Sequence, residues 1–164
     1  MDGDLLNYEQ LLSEAYNNDV VVKEIEFESD SKGLLKGKKV ALSRKLITSK
    51  EKACVLAEEL AHYKLTSGDI IDMKVISNRK QEHTARLSAY NTMIGLNGII
   101  NSFEARCKNR YDMAEYLEVT EDFLIEALKC YGSIYGQYAK CGDYVIYFDP
   151  LSILKKFRVN NEAI

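Results

Sequence analysis

Residues 56–63 read Leu-Ala-Glu-Glu-Leu-Ala-His-Tyr, and no other stretch constrains the chain as much. Ala53, Leu56, Ala57, Leu60 and Ala61 recur at the spacing of one helix face, with Val55 and Leu65 on its flank. Glu58 and His62 stand four residues apart on that flank, so two ionisable groups border a face that has to be buried. The pattern is one substitution away from H-E-x-x-H. There, two imidazoles one turn apart bind a metal and the glutamate between them is the general base that deprotonates water. Here Glu58 replaces the first imidazole, His62 keeps the second, and Glu59 holds the base position. Carboxylate oxygen is a legitimate zinc ligand, so the spacing still describes a metal-binding face.

Local signals delimit this helix. Thr48-Ser49-Lys50-Glu51 reads as a capping box at its start, and Gly68 is the expected stop. About twenty residues on, a second helical pattern runs from Gln81 to Tyr90. Glu82, Ala85 and Ala89 share one face there, and small residues let two helices approach closely enough for a third ligand to reach across. Two other readings of this helix stay open. Glu82 and Arg86 also have the spacing of an ordinary i,i+4 ion pair, and His83 is an alternative third ligand. Successive helical positions diverge by about 100°, so Glu82 and His83 do not both reach one metal. Glu82 is favoured by the small-residue face.

These stretches resemble the ImmA/IrrE family of small metallo-endopeptidases, in the form carried by prophages and mobile elements. The resemblance rests on Lys39-Val40-Ala41-Leu42, Lys50-Glu51-Lys52, the 55–62 motif, Gly68-Asp69-Ile70 and Gln81-Glu82 leading to Ala85-Arg86. It implies metal ligands at Glu58, His62 and Glu82, a base at Glu59, a zinc or other divalent ion, and cleavage of a helix-turn-helix repressor. The chain departs from the family at Glu58, usually histidine, and at Met93-Ile94-Gly95, where many relatives have Leu-hydrophobic-Pro.

Composition narrows the alternatives. A length of 164 residues with 46% hydrophobic content supports one good core. No apolar run approaches membrane-spanning length and residues 1–4 are acidic, so a cytoplasmic protein is expected. Cys54, Cys107, Cys130 and Cys141 lack C-x-x-C spacing and read as reduced packing residues. The net charge of −3 disfavours a general nucleic-acid binder.

Residues 4–17 read as an amphipathic helix, 20–27 and 39–42 as strands, and 29–33 as a turn. An edge strand in such a small sheet can take an extended peptide by backbone pairing. Residues 111–131 resemble a helix-turn-helix with Thr120 as N-cap, yet Glu121, Asp122 and Glu126 face the single Lys129, which suits packing or substrate recognition better than DNA. Tyr144–Phe148 reads as a strand, and the tyrosines at 135, 138, 144 and 147 form either core or a partner-facing surface, with core the default.

The expectation is an α+β, zincin-like core over residues 1–95, with a small sheet, and a helical extension over 96–164 carrying a short C-terminal strand. Its expected activity is metal-dependent cleavage of a cytoplasmic regulatory protein. The alternative is a non-cleaving binding module of the same fold, and behind it a DNA-binding transcription factor. The charge-rich ligand set predicts a less acidic metal-bound water and a slower peptidase than two imidazoles would give.

Overall fold

The computed structural model describes residues 6–67 and 78–157. Among them are six helices and two three-stranded sheets, a mixed α+β architecture. Helix α1 (Tyr8–Asn17) starts at a reciprocal cap: the Asn7 side chain accepts from Gln10 N at 3.0 Å while Asn7 N donates to Gln10 Oε1 at 2.9 Å. This cap replaces the start expected at residue 4, which, with residue 5, lies outside the described part.

The first sheet holds β1 (Val21–Ile25), β2 (Gly33–Lys36) and β3 (Lys39–Ser43) in the order β1-β3-β2, with β1 parallel and β2 antiparallel to β3. Strand β3 is central and buries Val40, Leu42 and Ser43. Strand β2 was not expected from the sequence. Its four residues carry adjacent leucines rather than an alternating pattern, and what makes them a strand is pairing with β3, from Gly33 opposite Leu42 to Lys36 opposite Lys39.

Helix α2 (Ser49–Ser67) packs against β2, β3, α1 and α3 (Asn78–Met93). Its apolar face is buried as the periodicity required, with Ala53, Leu56, Ala57, Leu60 and Ala61 all under 5% exposed. Gly68, the expected stop, lies outside the described residues. At the other end Thr48 N donates to Glu51 Oε2 at 2.8 Å and Glu51 N to Thr48 Oγ1 at 3.2 Å, closing the capping box. The amide donors of Thr48 and Ile47 outweigh partial burial and hold the Glu51 carboxyl below its ordinary value. A depressed carboxylate contributes stability above its unfolded pKa and loses it as pH falls through the folded one. Thr48→Ala is therefore expected to cost about 1 kcal/mol near neutral pH. The cost should shrink on acidification, which thermal unfolding across pH would show.

Helices α4 (Gly95–Glu104), α5 (Arg110–Tyr116) and α6 (Glu121–Tyr135) follow, and α6 packs against both α3 and the second sheet. That sheet is an antiparallel meander of β4 (Tyr138–Cys141), β5 (Tyr144–Phe148) and β6 (Leu151–Lys155). Three strands stand where the sequence suggested one, because a lone strand has no partner for its backbone groups. The aromatic reading also needs correction. Tyr135, Tyr138 and Tyr147 are exposed, with Tyr138 and Tyr147 paired on the outward face of the sheet at a ring separation of 5.6 Å. Burial falls instead to Ile146 and Phe148 on the inward face.

The core is continuous: Leu42 and Leu56 belong to the same buried cluster as Ile99, Leu117, Leu124 and Tyr131. All four cysteines are free. Among the described residues no helix is long and apolar enough to cross a membrane.

Candidate functional site

Three elements converge on the motif. Helix α2 supplies Glu58, Glu59 and His62, all half-buried, and α3 crosses it with Ala85 and Ala89 fully buried in the contact. Those two alanines let the backbones approach, and the result is visible one turn away. His62 Nε2 stands 3.3 Å from Glu82 Oε2 across the two helices. The other oxygen of the same carboxylate accepts from Arg86 Nε at 3.1 Å. Of the two readings of Glu82 left open by its spacing, the i,i+4 ion pair is present on one oxygen, while the other oxygen faces His62. His83 is exposed, and it is Glu82 rather than His83 whose side chain meets His62.

A cleft of about 620 Å³ opens beside this cluster. Its floor is α2, through Cys54, Val55, Glu58 and Glu59, and one rim is formed by Lys32 and by Gly33 at the start of β2. The opposite wall is α6, through Asp122, Ile125, Glu126 and Lys129, so the helix-turn-helix-like unit closes the cleft. Arg86 lines it from α3, whereas His62 and Glu82 do not. The α6 wall is tied to α3 by Tyr90, whose hydroxyl donates to Glu126 Oε2 at 3.2 Å and whose ring meets Phe123 edge-on at 5.0 Å.

The electrostatics follow from crowding carboxylates in a half-dry cleft. Burial, reinforced by the charges of Glu58 and Glu82, pushes the Glu59 carboxyl up to about 7. Burial raises Glu58 as well, opposed by Arg86 and assisted by Glu82 and Glu126. A carboxylate whose affinity for protons lies near neutrality is suited to accept one from water and pass it on. Cys54, on the same floor, is driven the other way for a nucleophile: burial lifts its thiol to about 11, which keeps it protonated and unreactive.

Gly33 fixes the distance between the edge strand and the base. A Cβ built there would sit 2.6 Å from Val55 Cγ1 and 2.7 Å from Glu59 Oε1, closer than real contacts allow. Gly33→Ala is expected to displace the Glu59 carboxylate and to destabilise the fold by roughly 1–3 kcal/mol, the range for overpacking. Urea unfolding measures the second effect directly. The sequence placed Gly33 in a turn cluster, and nothing there signalled its contact with residue 59. Glu126 and Tyr90 were likewise silent, because only the tertiary packing of α6 on α3 brings them to the cleft.

Residues 5–129 match the profile of a peptidase family described as the IrrE N-terminal-like domain. The chain belongs to this family. It is accordingly a metallopeptidase-type domain of the ImmA/IrrE group, with the zincin-like α+β fold, and the family implies a divalent metal. No curated protein and no solved structure matches the chain.

The donor chemistry can be tested against such an ion. Two ligands at about 2.0–2.1 Å around a tetrahedral centre stand about 3.3–3.4 Å apart. The separation of His62 Nε2 and Glu82 Oε2 has that value. Glu58 borders the pair one turn before His62, although among the described residues no three His, Cys, Asp or Glu groups close into a cage. The pair alone has the spacing of two ligands of a divalent ion, and Glu58 is a further carboxylate on the same helix.

Proposed function

We propose that this chain is a zinc-dependent, or otherwise divalent-metal-dependent, endopeptidase acting on a cytoplasmic regulatory protein, with a helix-turn-helix phage-type repressor as its substrate. The observation that carries the reading is the His62–Glu82 pair at ligand spacing beside Glu59, a base whose carboxyl lies near 7. Glu58, His62 and Glu82 would hold the metal, which supplies acidification of a water and polarisation of the scissile carbonyl. The remaining steps belong to the protein. Glu59 accepts the proton of the attacking water and returns it to the departing amine. The outer edge of β2, unpaired among the described residues, holds an extended segment of substrate by backbone hydrogen bonds, and α6 forms the wall opposite. With two carboxylates and one imidazole as ligands, the water is less acidic than with two imidazoles, so a modest rate is expected.

Co-expression with a phage-type helix-turn-helix repressor from the same locus, should one be encoded there, followed by intact-mass analysis, tests the proposal. Two defined fragments that vanish with Glu59→Gln support it. A regulator that stays full length with metal present, yet co-purifies with the chain, assigns the same fold to binding. The acidic α6 is not expected to bind DNA, and tight sequence-dependent binding in a salt-titrated anisotropy experiment would overturn the assignment of the α5–α6 unit to packing or substrate recognition.

A further inference from the structure

The cations of this chain are gathered in one place. Residues 31–50 hold seven lysines and arginines and no acidic residue, although acidic side chains outnumber basic ones in the whole sequence, 25 to 22. That stretch forms β2 and β3, so its charge is delivered to the first sheet. Alternation along the strands then sorts the side chains by face. Val22, Leu35, Val40 and Leu42 turn towards the helices and join the core. The register gives the outward face an aliphatic group of Val21, Ile25 and Leu34 around Ala41. It also gives that face three cations, Lys23, Lys36 and Lys39, and no carboxylate.

Two properties of this face do nothing for the fold. Val21, Ile25 and Leu34 remain 48%, 38% and 54% exposed. Lys36 and Lys39 stand directly opposite each other, and like charges so placed weaken a sheet. None of the three lysines has an ion pair among the described residues, whereas Lys38, Lys45 and Lys50 of the same stretch are matched to Asp19, Asp30 and Glu115. Lysine does guard exposed sheet edges against pairing with other chains. That account suits β1 and β2, but Lys39 lies on the central strand.

An aliphatic patch set among unmatched cations complements a surface that is apolar in the middle and acidic around it. Nucleic acid fits poorly, because the face offers no aromatic ring for a base to stack on and would bury aliphatic groups against phosphate. A sheet already covered by helices on one side can take a helix on the other. We propose that the outward face of the first sheet docks an acidic amphipathic helix of a partner protein, with its apolar stripe on Val21, Ile25 and Leu34 and its carboxylates on Lys23, Lys36 and Lys39. The contact needs no metal and stands whether or not the chain cleaves, so it goes beyond the peptidase reading. Gly33, the first residue of β2, lies on the rim of the cleft, so a partner docked here is held beside it.

The test uses a fluorescent peptide of about 15 residues, leucine at helical spacing and glutamate elsewhere, titrated by anisotropy against the full chain with chelator present. Wild type is expected to bind it at low salt and to lose affinity as salt rises. Lys23→Ser, Lys36→Ser and Lys39→Ser combined should weaken binding about tenfold or more, and Leu34→Ser alone about tenfold. The triple variant should be at least as stable as wild type in urea, since it relieves repulsion. Lys140→Ser with Lys156→Ser, at the second sheet, should bind as wild type does. A peptide of the same composition with its leucines scattered should bind about tenfold more weakly. Unchanged affinity in the triple variant, equal binding of the scattered peptide, or no binding up to about 1 mM would overturn the proposal. So would a triple variant that loses stability, which makes the lysines structural. Lysine-dependent binding of duplex DNA or phosphatidylserine vesicles in preference to the peptide would reassign the face to nucleic acid or membrane.

Discussion

Glu59→Gln is expected to retain the fold and the metal content of the wild type while lowering turnover of its protein substrate by roughly 10²–10⁴-fold, the usual contribution of a positioned general base. Glutamine keeps the shape and one oxygen acceptor but has no carboxylate to take a proton. The site itself argues for a large effect. Glu59 lies on the cleft floor, packed under Gly33 of the edge strand, where a peptide added to that strand would pass. Its carboxyl, raised to about 7 by burial and by Glu58 and Glu82, binds protons more strongly than an exposed glutamate and is a stronger base when ionised. Glutamine at 59 has no charge to be repelled by Glu58 and Glu82 or disfavoured by burial, so the variant is expected to be at least as stable as the wild type. Parallel measurement of cleavage, metal content and urea unfolding checks all three parts. Turnover within a few-fold of wild type would remove Glu59 from the chemistry.

How much of this site the sequence disclosed depended on whether the cause was local. The α2 face was legible because a helix repeats every 3.6 residues, and the capping box at Thr48 and Glu51 because it closes within four residues. The approach of α3 to α2 was legible through Ala85 and Ala89, whose small size serves it. Strand β2 was not, since Gly33–Lys36 becomes a strand only by pairing with β3. The α5–α6 unit could be read as a helix pair, and its charge as unfit for DNA. Its place opposite Glu58 and Glu59, however, comes from the packing of α6 on α3, anchored by Tyr90, Phe123 and Glu126. Arg86 shows the limit most clearly. Its spacing to Glu82 was plain, yet spacing assigns a carboxylate to one partner, whereas Glu82 serves Arg86 with one oxygen and faces His62 with the other.

The metal affinity should depend on His62 more than on any other single side chain. His62→Ala is expected to weaken zinc binding by about two orders of magnitude or more, beyond the 10–100-fold that outer-shell changes cost. In the proposed set His62 supplies the one imidazole, and its Nε2 stands 3.3 Å from Glu82 Oε2. Glu58→His should act in the opposite direction. Position 58 lies one turn before His62 on the same helix, so an imidazole there restores two nitrogen donors without moving the backbone, and it lowers the number of carboxylates that must be desolvated together. With Arg86 still present, the variant also carries one positive charge more than the wild type, which repels a cation and limits the gain. Competition titration against a chromophoric chelator ranks the proteins. His62→Ala with wild-type affinity would return Glu58 and His62 to the status of an ordinary pair at the edge of the core.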